Sequence, residues 1–376
     1  MTEYLIGNEC DREEIVDFIN YVFSHAHNPH DFKKLTPHVY GDDMEYMGAI
    51  HYIAKEDGKI KALVAMRVID VVIGDSMLKY ALIGNVAVHP YSRGKGYMKT
   101  LMNIASDEAK KMGVDIMALA GQRQRYGYFG FETGGYSLCY TVSDNNIRHC
   151  YGDVDCSDIT LRQIGELQDT EVDRLLSLYE ANPIHTIRKR EEFVNQMSAW
   201  GRKCRIIYKS DELIGYVCGD FEEVVLKDDS CFPVALKAIF AADGKSCAVI
   251  NVHPYQKSRI DLLSGISEYS RAEQTKLIKV LCWEKALKTL FRLQSQIRNL
   301  EDGKAMVAIE DEVFEIVVSN SIPAVQKCAS KSDGVICLTN KDAVRVFFGL
   351  SSMFSCDKRY ANWLPLPYDI DIPDSF

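Results

Sequence analysis

No apolar run in this sequence approaches the roughly 20 residues that a membrane helix needs, and no two cysteines stand in a CxxC spacing. The first absence argues against a spanning segment. The second, with no histidine cluster beside the closest pair (Cys150 and Cys156), predicts no zinc site. Positive charge is also short: 44 Lys and Arg against 53 Asp and Glu leave a net −9. That argues against a broad nucleic-acid footprint, which needs clustered basic residues. It suits cationic small molecules, although most acidic surfaces serve only solubility. The start, MTEYLIGNECDREE, carries acids where a secretory signal carries Lys or Arg, and a reducing cytoplasm is the expected home for 12 unpaired thiols. GxGxxG, GxxxxGK with a following Ser or Thr, and GxSxG are all missing, which sets aside a Rossmann site, a P-loop and a serine hydrolase.

What is present is ordinary globular material, 47% hydrophobic and 26% charged over 376 residues, enough for two or three domains. Residues 3–7 read as a strand. Asp11 can cap a helix whose Ile15, Phe18, Ile19 and Val22 recur at helical spacing. The loop with His25, His27 and His30 has no cysteine or paired carboxylate and carries no metal-ligand pattern. A meander follows over 51–57, 59–74 and 76–90, with Asp57-Gly58 and Gly74-Asp75 as its turns. A helix then runs from Gly96 to about Met112 on a stripe of Met98, Leu101, Met102, Ala105, Ala109 and Met112, and Gly113 stops it. Residues 114–121 and 135–143 read as further strands.

Beyond 145 the pattern partly repeats. Residues 159–179 give a strand and a helix, 205–219 echo the first hairpin, and AVINVHPY (248–255) echoes GNVAVHPY (84–91), which together suggest a duplicated α/β unit. From about 284, a helix, three strands and a helix with Val344, Phe347 and Phe348 suggest a small α+β domain. The last segment, WLPLPYDIDIPDSF, has three prolines and cannot be a regular helix or central strand. Its apolar content is too high for a disordered tail, so it is expected to pack.

One stretch carries chemistry. The strand Val86-Ala87-Val88 runs into Arg93-Gly94-Lys95-Gly96, where a helix begins. Backbone N–H groups at such a turn converge on one cavity, and the helix N-terminus adds positive potential. Gly94 and Gly96 let a phosphate approach, and Arg93 and Lys95 add charge. Taken alone, the turn fits an anion site and a ligand-free helix start equally.

Arg93-x-x-Gly96-x-Met98 resembles the RxxGxG/A signature of the GNAT superfamily of N-acetyltransferases, with Met98 in place of the final Gly or Ala. Arg125-Tyr126-Gly127-Tyr128-Phe129-Gly130-Phe131 and the ending in Phe376 resemble the enhanced intracellular survival (Eis) branch over essentially the whole chain. That resemblance implies tandem GNAT-like mixed α/β sheets with flanking helices and a sterol-carrier-protein-like α+β domain. The implied divisions are a catalytic domain at 1–145, a degenerate copy at 146–283 and the last domain at 284–376. The copy lacks the signature, since Gln256, Lys257, Ser258 and Arg259 follow its Val-His-Pro-Tyr, and is expected to bind no cofactor.

The resemblance further implies acetyl-CoA as cosubstrate and no metal. The acetyl-CoA site would comprise Val86, Ala87, Val88, Arg93, Gly94, Lys95, Gly96, Tyr97, Met98, Gly121 and Gln122. Acetyl would pass directly to a small-molecule amine, such as an aminoglycoside or polyamine, or to a lysine, in a homo-oligomer of hexameric type. Tyr126 takes the place of the general acid and the Phe376 carboxylate that of the base. An aromatic turn at Tyr126 also fits core packing, to which Tyr128, Phe129 and Phe131 are assigned, and the tail's apolar content fits a packed end as well as a catalytic one. The alternative function is a lipid- or sterol-binding protein that uses the C-terminal domain.

Overall fold

The computed structural model describes residues 1–42, 44, 47–274, 276–329, 335–352 and 362–376, the side chain of Ile372 excepted. By Cα proximity the chain divides into two compact units: Met1–Gly135 with Thr275–Tyr368 and Phe376, and Tyr136–Gln274 with Asp369–Ser375.

In the first unit β1 (Thr2–Ile6), β2 (Ile50–Glu56), β3 (Lys59–Ile73) and β4 (Ser76–Val88) pair antiparallel in chain order, and β5 (Ile116–Leu119) joins β4 in parallel. Asp57 and Gly58 turn β2 into β3 with φ of 53° and 72°, the mirror-image turn that an Asp-Gly pair favours. Two helices cover the sheet, α1 (Arg12–Ala26) and α2 (Tyr97–Lys111). Alternation along the strands gives each its own face. Ala62, Val64, Met66, Ala81 and Ile83 pack with Leu101, Met102, Ala105 and Ala109 of α2. Leu63, Ala65 and Ala87 pack with Ile15, Phe18, Ile19 and Val22 of α1.

Local details differ from the expectation at two points. Asp11 makes no capping bond to α1 and pairs instead with Lys55 at 2.6 Å; the capping oxygen belongs to Asn8, which accepts from the Cys10 N–H in the turn ahead. Met112 falls outside α2 and is exposed, while Tyr97 joins the buried stripe.

The larger surprise is which strand follows β5. Ser137–Ser143 lies in the second unit, at the centre of a sheet between Cys247–Val252 and Tyr269–Glu273. The place beside β5 is taken by Leu277–Val280, which is antiparallel to it and pairs with Glu132–Thr133 on its other edge. Leu277, Ile278 and Val280 are all buried, as a central strand covered on both faces requires.

The first unit also holds the C-terminal α+β elements: the helix Trp283–Ile297, the antiparallel strands Gly303–Ile309, Glu312–Ser319 and Ile322–Cys328, and Ile336–Leu338 parallel to the first of them. Trp363 and Leu366 of the proline-rich segment are buried here, and the Gln294 side chain donates to the carbonyls of Trp363 and Pro365 at 3.0 Å each.

The second unit has a four-stranded antiparallel sheet in which the expected hairpin forms between Cys204–Lys209 and Glu212–Cys218. On the helix Asp169–Glu180, Val172, Leu175, Leu176 and Tyr179 are buried as their spacing predicts. Among the described residues, no helix is long and apolar enough to cross a membrane.

Candidate active site

Pairing between β4 and β5 stops at Leu82 and Ala118, while β4 continues to Val88. The cause lies in the strand itself. Its ladder with β3 slips register between Leu63 and Ala65, opposite Asn85, which takes a φ of 47°. A bulge of this kind bends a strand away from its neighbour. Among the described residues, no strand pairs with Val86–Val88 on the edge that β5 has left, and N–H groups there need a partner from somewhere.

Where β4 ends, the chain makes the turn expected to hold phosphate. Gly94 and Gly96 have φ of 82° and 81°, and a side chain at either would meet nothing within 4 Å. Both glycines are therefore used for their backbone conformation and not to avoid a clash. Gly96 is the N-cap of α2 and offers no side-chain oxygen to its first N–H groups, so the positive end of the helix is left open.

These two features line one cavity of about 840 Å³. Of the residues expected to bind cosubstrate, Val86, Val88, Arg93, Gly94, Gly96, Tyr97, Met98 and Gln122 line it. Met98 rests partly against the core cluster of α2, so its bulk does not close the turn. Three others lie outside the lining. Ala87 points to the opposite core. Lys95 holds Glu56 at 2.8 Å. Gly121 is covered by the Tyr126 ring, which a Cβ there would approach to 2.5 Å.

Tyr126 itself is 7% exposed and packs edge-on to Phe131, 6.5 Å between ring centres. Burial raises its pKa, and Arg125 offsets this in part, so the phenol keeps its proton firmly. Phe376 places its ring on Gly84, where an added Cβ would fall 2.2 Å from it, and it packs against the α1 cluster. The terminal residue therefore stands next to the bulge at Asn85.

Sequence reasoning missed one wall of the cavity, formed by Val22, Phe23, Ala26 and His27 at the end of α1. The histidine-rich loop was the only signal there. It also misplaced one aromatic: Tyr128 is 65% exposed and lines the cavity, while Phe131 is core and Phe129 packs partly against the same cluster as well as lining the cavity. The Lys99 ammonium sits 5.1 Å over the Tyr128 ring. With Arg93 and Arg125, it gives the cavity three cations, which suits a polyanion beside an open helix N-terminus.

Residues 6–134 match the family model described as the acetyltransferase (GNAT) domain. No curated protein matches the sequence. Solved structures match over all of this chain and all of their own. A probable N-acyltransferase of unknown function from Enterococcus faecalis is 15% identical with a TM-score of 0.72. A GCN5-related N-acetyltransferase from Kribbella flavida is 13% identical at 0.66, and Eis1 from Mycobacterium abscessus is 12% identical at 0.64. At such identities the likeness is one of fold, and it extends beyond the matched domain to the whole chain.

Proposed function

We propose that this chain, whose residues 6–134 match the acetyltransferase (GNAT) domain model, is an acyltransferase that passes acetyl from acetyl-CoA directly to a primary amine of a cationic small molecule or a lysine. The observation that carries this is the continuity of the cavity. It joins the open end of α2 at Gly94 and Gly96 to the unpaired edge of Val86–Val88. A pyrophosphate at the first and a thioester at the second would share one extended ligand.

In this reading the Val86–Val88 N–H groups hold the thioester oxygen as negative charge builds on it. Tyr126 returns a proton to the departing thiolate. The ordinary pKa values of a thiol, about 8.5, and a phenol, about 10, are close enough for that transfer, and burial moves Tyr126 upward from the phenol value. The Phe376 carboxylate holds the acceptor's cation and takes its proton, directly or through water. The second unit, whose Val252-His253-Pro254-Tyr255 turn has no residue of positive φ, binds no cosubstrate.

The test is thiol release from acetyl-CoA with a panel of polyamines, aminoglycosides and lysine peptides, using the chain ending at Phe376 and a form extended by two residues. Turnover is expected for the chain ending at Phe376. The extension displaces the carboxylate by several ångströms and should cost about 10²-fold or more, since 1 Å of misplacement can cost that much. Absence of turnover with every amine refutes the proposal. Equal rates with and without the extension remove Phe376 from the mechanism.

A further inference from the structure

Beside the bulge, three side chains form a hydrogen-bonded line that the mechanism above does not use. Tyr40, at the end of the short helix Pro37–Tyr40, and His51, in β2, are both fully buried. The Tyr40 hydroxyl meets His51 Nε2 at 2.9 Å, and Asn85 Nδ2 donates to the same hydroxyl at 2.7 Å. Burial holds His51 down at about 4, so the ring is neutral and has one N–H. Burial also pushes Tyr40 up, so its proton stays in place.

The direction of the line follows from its outer end. Asn85 Nδ2 can only donate, so the Tyr40 oxygen accepts from it. The Tyr40 O–H is then available to donate to Nε2 of the neutral His51 ring. Asn85 Oδ1 is turned away from Tyr40 and makes no hydrogen bond to any described residue.

Asn85 lies between the terminal residue and the cavity wall. On one side of Asn85 is Gly84, covered by Phe376, and on the other is Val86, in the cavity wall. Asn85 is also held at a positive φ of 47°, a conformation Asn tolerates better than most residues. Building on the acetyltransferase reading, we propose that Asn85 Oδ1 accepts an N–H of the attacking amine, and that Tyr40 and His51 are positioning residues that aim it.

A neutral primary amine has two N–H bonds and one lone pair. With one N–H on the Phe376 carboxylate and the other on Asn85 Oδ1, the lone pair is left for the thioester carbon. A secondary amine or a hydroxyl has one hydrogen and cannot satisfy both acceptors. The site therefore selects primary amines. No bond forms to Asn85, and the proton lost on attack goes to the carboxylate side.

The test compares 1,4-diaminobutane with its N,N′-dimethyl derivative, which has equal charge and span, in the wild type, Asn85→Gly and Tyr40→Phe. Asn85→Gly removes the amide while easing the backbone, so its melting temperature should hold. We expect its KM for 1,4-diaminobutane to rise about tenfold, in the range of a lost hydrogen bond to a polar ligand, with KM for acetyl-CoA unchanged. Its preference for the primary over the secondary amine should collapse. Tyr40→Phe should show the same changes in smaller degree, because the amide remains but is no longer aimed. If Asn85→Gly keeps the wild-type KM and preference, or if the wild type turns over both diamines equally, the inference falls while the acetyltransferase stands. A wild type that releases no thiol with any amine sinks both.

Discussion

Val-His-Pro-Tyr occurs twice, at 88–91 and 252–255, and the two copies have opposite surroundings. In the first, the His89 and Tyr91 rings are 5.8 Å apart at 42° and Tyr91 is 87% exposed. Burial, then Lys61 and His25, lower the His89 pKa. The chain goes on through Gly94 and Gly96 into a helix of 15 residues. In the second, the His253 and Tyr255 rings are parallel at 5.1 Å. Burial opposes a charge on His253, but Asp371 and Asp369 outweigh it and raise the imidazole to about 10. Gln256 turns back to accept the His253 N–H, and a helix of 8 residues follows. The cavity at the first turn holds about 840 Å³ and carries three cations, whereas that at the second holds about 10 Å³ and includes Glu223 and Asp371 in its lining. A strand-to-helix turn with the same four residues thus becomes the rim of an open, cation-lined cavity or a closed anchor. What decides is the glycine backbone and the sign of the neighbouring charges.

The sharpest way to break this comparison is to show that the first unit does no chemistry. Tyr126→Phe removes one O–H from a packed ring, and kcat should fall roughly 10²–10⁴-fold, the usual worth of a general acid, with acetyl-CoA affinity held. A loss confined to affinity would return Tyr126 to packing. The second unit should fail in a different way. Its Arg188 is fully buried, grips Glu223 and Asp374 with two bonds each, and lies 3.5 Å over the Tyr179 ring. Gln196 and Tyr179 donate to Asp374 as well. Arg188→Met leaves two buried carboxylates without their cation and should cost about 3–5 kcal/mol in urea unfolding. A loss below about 1 kcal/mol would mean that the cluster relaxes or takes up protons at little expense.

His253 gives a smaller and pH-dependent version of the same test. Its folded pKa of about 10 lies above the ordinary 6.5. Its contribution is therefore complete below about pH 6.5 and fades as pH rises toward 10. His253→Gln should lower stability at pH 6 by about 1.5–3 kcal/mol, as for charge-assisted hydrogen bonds. The variant should also show a flatter fall in urea midpoint between pH 6 and 9.5 than the wild type. Identical slopes would place the charge elsewhere.

Most of the first unit was legible because its signals are local. Asp57-Gly58 names its turn, the stripe from Leu101 to Ala109 names a helix face, and two glycines before that stripe name an open N-terminus. The exchange of Ser137–Ser143 for Leu277–Val280 beside β5 was not legible. Both segments are short and apolar, and which of them pairs with β5 is decided by contacts some 160 positions apart in the chain. Tyr128 was misread for a related reason. Within Tyr126–Phe131 no periodicity separates a ring that packs from one that lines a cavity. The line Tyr40–His51–Asn85 left no trace in the sequence at all, since its members share no motif and meet only through the bulge.

The smallest effect bears most directly on the two turns. Gly96 has a φ of 81° with open space around it, so Gly96→Ala introduces strain and no clash. A non-glycine residue in that region costs about 1–2 kcal/mol, and it can escape only by rotating the turn and moving the first N–H groups of α2. Acetyl-CoA affinity should therefore weaken about tenfold, with a drop in unfolding free energy of at most that strain. The mirror experiment is Gln256→Gly in the second turn. It supplies a glycine without the positive-φ backbone, beside a cavity of about 10 Å³ that Glu223 and Asp371 help to line. Calorimetry should find one acetyl-CoA per chain in the wild type and in Gln256→Gly alike. A second site appearing in Gln256→Gly would show that glycine alone separates the two turns. Two sites in the wild type would show that the second turn was never closed. If Gly96→Ala binds acetyl-CoA as tightly as the wild type, the phosphate is held by Arg93, Lys99 and Arg125, and the helix N-terminus contributes little.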